Sequence, residues 1–102
     1  MIVETTIHAV SVKGQATQFR FAIDAPVKID EESWGCALTM PGLTGCPHHI
    51  VGVDAWQSLL LAIRLVEQTL TYFVEDGGRL YWEPGGEPMN VGDVIPRFVS
   101  AK

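Results

Sequence analysis

The chain predicts an α+β domain, with an antiparallel sheet of about four strands packed on one long helix. Three observations carry this. The stretch from Asp54 to Glu75, DAWQSLLLAIRLVEQTLTYFVE, is apolar at helical spacing and contains neither Gly nor Pro. The segments around it are short, β-branched or alternating, and broken by Gly and Pro turns. Their order is strand, strand, strand, helix, strand, tail. Short connections among the first three strands favour antiparallel pairing with the helix across one face.

Residues 2–12 are rich in Val, Ile and Thr and end at Lys13-Gly14-Gln15, a turn. Their inward parity is ambiguous. Ile7 and Ala9 alternate on one face, Val10 and Val12 on the other, as a bulge or two covered faces would produce. Phe19, Phe21 and Ile23 then alternate with Gln18, Arg20 and Asp24, which predicts a half-buried strand and a hairpin with the first. Pro26 interrupts it, and Val27 and Ile29 continue it past a kink. Residues 30–33 form an acidic connection. In the third strand, Trp34, Cys36, Leu38 and Met40 face one way. Gly35, Ala37 and Thr39 face the other, small enough for something large to lie close.

The Pro-Gly, Thr-Gly and Cys-Pro pairs make residues 41–52 a loop. Asp54 then caps the helix. Gln57 is placed to reach back to the Asp54 amide, a capping-box pattern worth about 1 kcal/mol. Asp76-Gly77-Gly78 supplies a left-handed stop. Ala55, Leu59, Ala62, Ile63, Val66, Leu70 and Phe73 form the core stripe. Leu61, Leu65 and Tyr72 widen it on one flank, and Trp56, Leu60 and Val74 on the other. A helix on one sheet needs an apolar arc of only about 100°. This one is apolar over more than half its circumference, so further chain or a second copy is expected to cover it. After the helix, residues 79–83 read as a strand, with Leu80 and Trp82 on one face and Tyr81 on the other. The tail at 91–98 carries Val94, Ile95 and Phe98 and is expected across the sheet edge or the helix.

Size and charge set limits. The 102 residues form one domain, large enough to bury a core without metal or disulfide. A formal charge of −5 argues against nucleic acid or an anionic membrane as the main partner, since both select basic surfaces. Glu4 follows directly on Met1-Ile2-Val3, unlike a signal peptide, and Arg64 and Glu67 interrupt the long apolar stretch. The expected location is the cytoplasm.

Ile50-Val51-Gly52-Val53-Asp54, the Trp56-Gln57 step into Leu59-Leu60-Leu61-Ala62, and Gly78-Arg79-Leu80-Tyr81-Trp82 resemble a family of small bacterial proteins of unknown function. In that family a Gly-x-Asp-x-x-Gln step opens the single helix and a Leu-x-Trp strand follows. The resemblance spans roughly residues 34–83. It implies an α+β fold and a bacterial cytoplasmic origin, with no activity or catalytic residues.

Candidate chemistry gathers before the helix. Cys36, Cys46, His48 and His49 are potential metal ligands, yet the cysteines lie far apart and the two His are adjacent. Zinc ligands pair at spacings of about two to four, and neighbours on an extended chain point to opposite sides. A core thiol at Cys36 and a surface loop at Cys46-Pro47-His48-His49 explain them better. A Cys36–Cys46 disulfide is disfavoured in a reducing compartment. Cys46 as nucleophile with a His base lacks an orienting group and an oxyanion hole. His8 reads as a strand residue at a solvent edge. Glu75, Asp76, Glu83, Glu87 and Asp93 sit among Gly and Pro and read as solvated turns. No cofactor is implied.

The resulting expectation is a non-catalytic interaction or ligand-binding module, of adaptor or immunity type. It homodimerises or meets a protein partner through Trp56, Leu60, Leu61, Leu65 and Tyr72. The alternative is a metal protein or thiol/His enzyme built on Cys46, His48 and His49.

Overall fold

The structure is a computed structural model and describes residues 2–43 and 47–96. Its elements are β1 (Val3–Val10), β2 (Ala16–Ile23), β3 (Val27–Asp30), β4 (Ser33–Thr39), β5 (His48–Gly52), α1 (Ala55–Glu75), β6 (Arg79–Tyr81) and α2 (Val91–Val94). The class is α+β as expected, but the sheet has six strands rather than about four.

The strand order is β3-β4-β2-β1-β6, with β5 on β4, and every pairing is antiparallel. β2 and β3 are one line of chain divided at Pro26. β4 pairs with β3 through Ser33–Gly35 and with β2 through Leu38 and Thr39. Between them Asp24 N–H donates to Ala37 O at 3.0 Å, so the ladder runs on across the kink.

β5 is the strand missing from the sequence reading, which left 41–52 as loop. The turn pairs that start this segment end before His48. The five residues after Pro47 then alternate, His48, Ile50 and Gly52 toward the helix and His49 and Val51 away. Five residues are too few for periodicity to stand out beside such turn signals. What makes them a strand is the free edge of β4.

β1 runs in continuous register with β2 from Val3↔Ile23 to Val10↔Ala16, so there is no bulge. Ile7 and Ala9 point into the core, while Val10 sits half-buried on the opposite face. Val12 lies in the turn, its side chain against Gly77. Gly14 takes a φ of +84°, as that turn requires. Beside the small face of β4 lies Ile29, whose Cδ1 would stand 2.8 Å from a β-carbon on Gly35.

The core lies between one sheet face and α1. Ile7, Ala9, Phe19, Phe21, Ile23, Cys36, Leu38, Met40 and Leu80 meet Ala62, Val66 and Leu70. Phe19 and Phe73 pack edge to face with ring centroids 4.9 Å apart. The predicted helical stripe is buried or half-buried throughout, and Ser58 joins it by donating its hydroxyl to Ala55 O. Beyond α1, β6 ends at Tyr81, which leaves Trp82 exposed rather than paired with Leu80. The tail returns as expected: Met89 bridges to Leu80 at the sheet edge, and α2 packs beside α1. Phe98 lies outside the described residues.

Candidate interaction surface

The step from β5 into α1 is built by three residues. Gly52 is buried beneath the first helical turn. A β-carbon there would stand 2.6 Å from Ser58 N and 3.0 Å from Gln57 C. Asp54 caps the helix, accepting from Gln57 N at 2.7 Å. The Gln57 side chain reaches back to Val53 N at 2.8 Å, one residue before the predicted Asp54 amide. The Gly-x-Asp-x-x-Gln pattern is therefore a packing device: a glycine for close approach and a reciprocal cap that sets the entry angle. The far end is a Schellman stop, with Gly78 N on Phe73 O, Gly77 N on Val74 O, and Gly77 at a φ of +102°.

This junction seats α1 over β4 and β5, at one margin of the sheet. On its other side Ile63 and Val66 share an apolar cleft of about 130 Å³ with Val94 and Ile95 of the tail. At about 100° per residue, Trp56 and Leu60 fall beside Ile63 on the tail side. Leu61 and Leu65 fall on the opposite side, whereas Tyr72, further along the helix, shares a depression with Val91 and Gly92 at the start of α2. Of the five expected surface residues, Trp56 (71%), Tyr72 (61%), Leu60 (45%) and Leu61 (39%) are exposed. Leu65 is half-buried against the core. They form two flanks, with Gln57, Arg64 and Gln68 between them.

β5 is itself an edge. Among the described residues its only strand pairing is with β4. Natural sheets usually protect such an edge with lysine, proline or a bulge inside the strand. His48–Gly52 has none of these, and Val51 is more than half exposed. The opposite edge is guarded: β6 is three residues long and Met89 bridges it. The sequence signal for β5 was the His48-x-Ile50-x-Gly52 alternation, which the preceding turns obscured.

Among the described residues the metal and thiol candidates are dispersed. Cys36 is buried beneath α1, its thiol 3.4 Å from Asp24 O. Burial, with the Asp24 charge adding to it, pushes its pKa up, the direction opposite to an activated nucleophile. His48 pairs with Leu38 on the helix side, whereas His49 pairs with Ala37 on the other. Cys46 lies outside the described residues. Among the described residues no three His, Cys, Asp or Glu side chains gather as a metal site. Glu75, Asp76, Glu83, Glu87 and Asp93 are exposed, and Asp93 accepts from Asn90 N at the start of α2. Trp34 and Tyr81 are half-buried. His8 is not at an edge, since β1 runs between β2 and β6. Among the described residues no helix is long and apolar enough to cross a membrane.

A family described as a domain of unknown function (DUF6968) matches residues 6–91. The match takes in most of the N-terminal hairpin as well as the helix and β6. No curated protein and no solved structure matches the chain.

Proposed function

The chain belongs to this family of unknown function, and for it we propose a non-catalytic interaction module that pairs with a second copy of itself. One observation carries the reading. The edge strand β5 holds no lysine, proline or bulge, and helical spacing sets the incompletely covered apolar flank Leu61–Leu65 on the side of α1 away from the tail. Antiparallel addition of β5 to β5 is self-complementary about a two-fold axis. It continues the sheet through backbone hydrogen bonds, as β-strand addition does elsewhere. Ile50, at the centre of β5, then meets its own counterpart. The two α1 helices come alongside each other and cover Leu61 and Leu65. The resemblance through Gly52, Asp54 and Gln57 supports placing the protein in the bacterial cytoplasm.

Sedimentation equilibrium at tens of micromolar tests this. The wild type is expected as a dimer. Val51→Lys puts a charge on the edge strand and Leu61→Glu puts one on the flank; each is expected to give a folded monomer. A monomeric wild type, or a dimer indifferent to both changes, refutes the reading.

A further inference from the structure

Among the described residues no second layer covers the sheet face turned away from α1, and one part of that face is organised. The register sets Gln18 of β2 and Tyr81 of β6 directly opposite His8 of β1. Three hydrogen-bonding side chains thus stand in one row across three strands. Directly opposed residues have β-carbons about 5 Å apart, so the three polar tips can converge on one small molecule. In the adjacent row Val10 stands between Ala16 of β2 and Arg79 of β6. The turn after β6 forms the wall: Gly86 N donates to Glu83 O, and Gly85 takes a φ of +76° with open space where a side chain would be. Together these enclose a depression of about 570 Å³, within the size range of small-molecule sites.

Two properties point to a ligand. The side chains of His8, Gln18 and Tyr81 line the depression and make no hydrogen bond among the described residues. No Asp, Glu, Lys or Arg lines it, although the chain is 19% charged. A charged guest would find no counter-ion on the floor. Arg79, opposite Val10, does not line the depression. A floor of flat sheet with small side chains, beside a wall of glycine backbone, admits a thin molecule better than a bulky one.

We propose that the Gln18–His8–Tyr81 row is a binding site for a small, uncharged, planar heterocycle with adjacent donor and acceptor atoms, such as a ring carboxamide. The heterocycle lies on Val10 and Ala16 and presents its polar edge to the row. This site is on the opposite face from the α1 flank and does not depend on self-association.

Nicotinamide and its anionic analogue nicotinate, titrated into the full chain with amide ¹H–¹⁵N spectra recorded, test the proposal. Nicotinamide is expected to shift the amides of His8, Gln18, Tyr81, Gly85 and Gly86 together and saturably. Tyr81→Phe and Gln18→Ala each remove one hydrogen bond and should weaken it by roughly 2- to 12-fold. Their amide spectra should otherwise keep the wild-type pattern, because both changes are on the surface. Absence of saturable shifts at this row overturns the proposal. So does tighter binding of nicotinate, which would mean that Arg79 captures anions, or binding unaffected by both substitutions.

Discussion

Replacing Gly52 by Ala adds one methyl group at the place where the sheet hands the chain to its only long helix. Gly52 does not have a positive φ, so no backbone conformation is forbidden to alanine there. The effect comes from space alone. The new β-carbon would lie 2.6 Å from Ser58 N, 3.0 Å from Gln57 C and 3.0 Å from Ser58 Cα. All three are backbone atoms of the first turn of α1, so no side chain can rotate out of the way. To reach ordinary contact at 3.4 Å the helix start must lift off β5. That lift strains the Asp54–Gln57 bond and loosens the packing of Ala55, Ser58 and Ala62. Overpacking of a well-filled site costs about 1–3 kcal/mol. With a urea slope of about 1–3 kcal/mol/M for a domain of this size, the midpoint should fall by roughly 1 M. Urea unfolding at one fixed protein concentration reads this, because self-association adds to apparent stability. Gly92→Ala is the control: a β-carbon there meets nothing within 4 Å and its φ is not positive. It should change stability by no more than about 0.5 kcal/mol, as surface substitutions do. A Gly52→Ala protein as stable as Gly92→Ala would refute the packing account of this junction.

Two further outcomes follow from side-chain environments. In a Cys46→Ser background, Cys36 should react with a thiol reagent at least about 10³-fold more slowly in the folded protein than in urea, because reaching it requires unfolding; a difference under tenfold would mean that the thiol is accessible. Asp30 accepts from Glu32 N and Ser33 Oγ, both at 2.8 Å, and these bonds hold its carboxyl below the usual aspartate range, the Glu32 amide most strongly. Since its pKa is lower folded than unfolded, its contribution to stability is complete above about 3.9 and is lost as pH falls through the folded value. Carboxyl NMR titration should place its midpoint below about 3.9, with Ser33→Ala moving it upward. A wild-type midpoint at or above that value contradicts the hydrogen-bonded turn.

The same residues show what local pattern could and could not specify. The α1 stripe, the Asp54 cap, the glycine stop and the β1–β2 hairpin are local. Their signals repeat within a turn or alternate along a strand, and the structure reproduces them. Pro26 marked the kink between β2 and β3 for the same reason, since its effect is on its own backbone. β5 was illegible because its five residues become a strand only when the free edge of β4 pairs with them. The row of Gln18, His8 and Tyr81 was missed likewise. Each joins residues far apart in the chain, and their meeting depends on register.

By itself, then, the sequence determined where the one long helix begins and ends, which stripe of it is buried, and that its circumference is more apolar than one sheet covers. Tertiary structure alone decided that α1 sits at the β5 margin, that among the described residues β5 pairs only with β4 while the β6 edge is bridged by Met89, and which flank lies away from the tail. Helical periodicity reports the faces of an element. Only pairing between distant strands determines what each face meets.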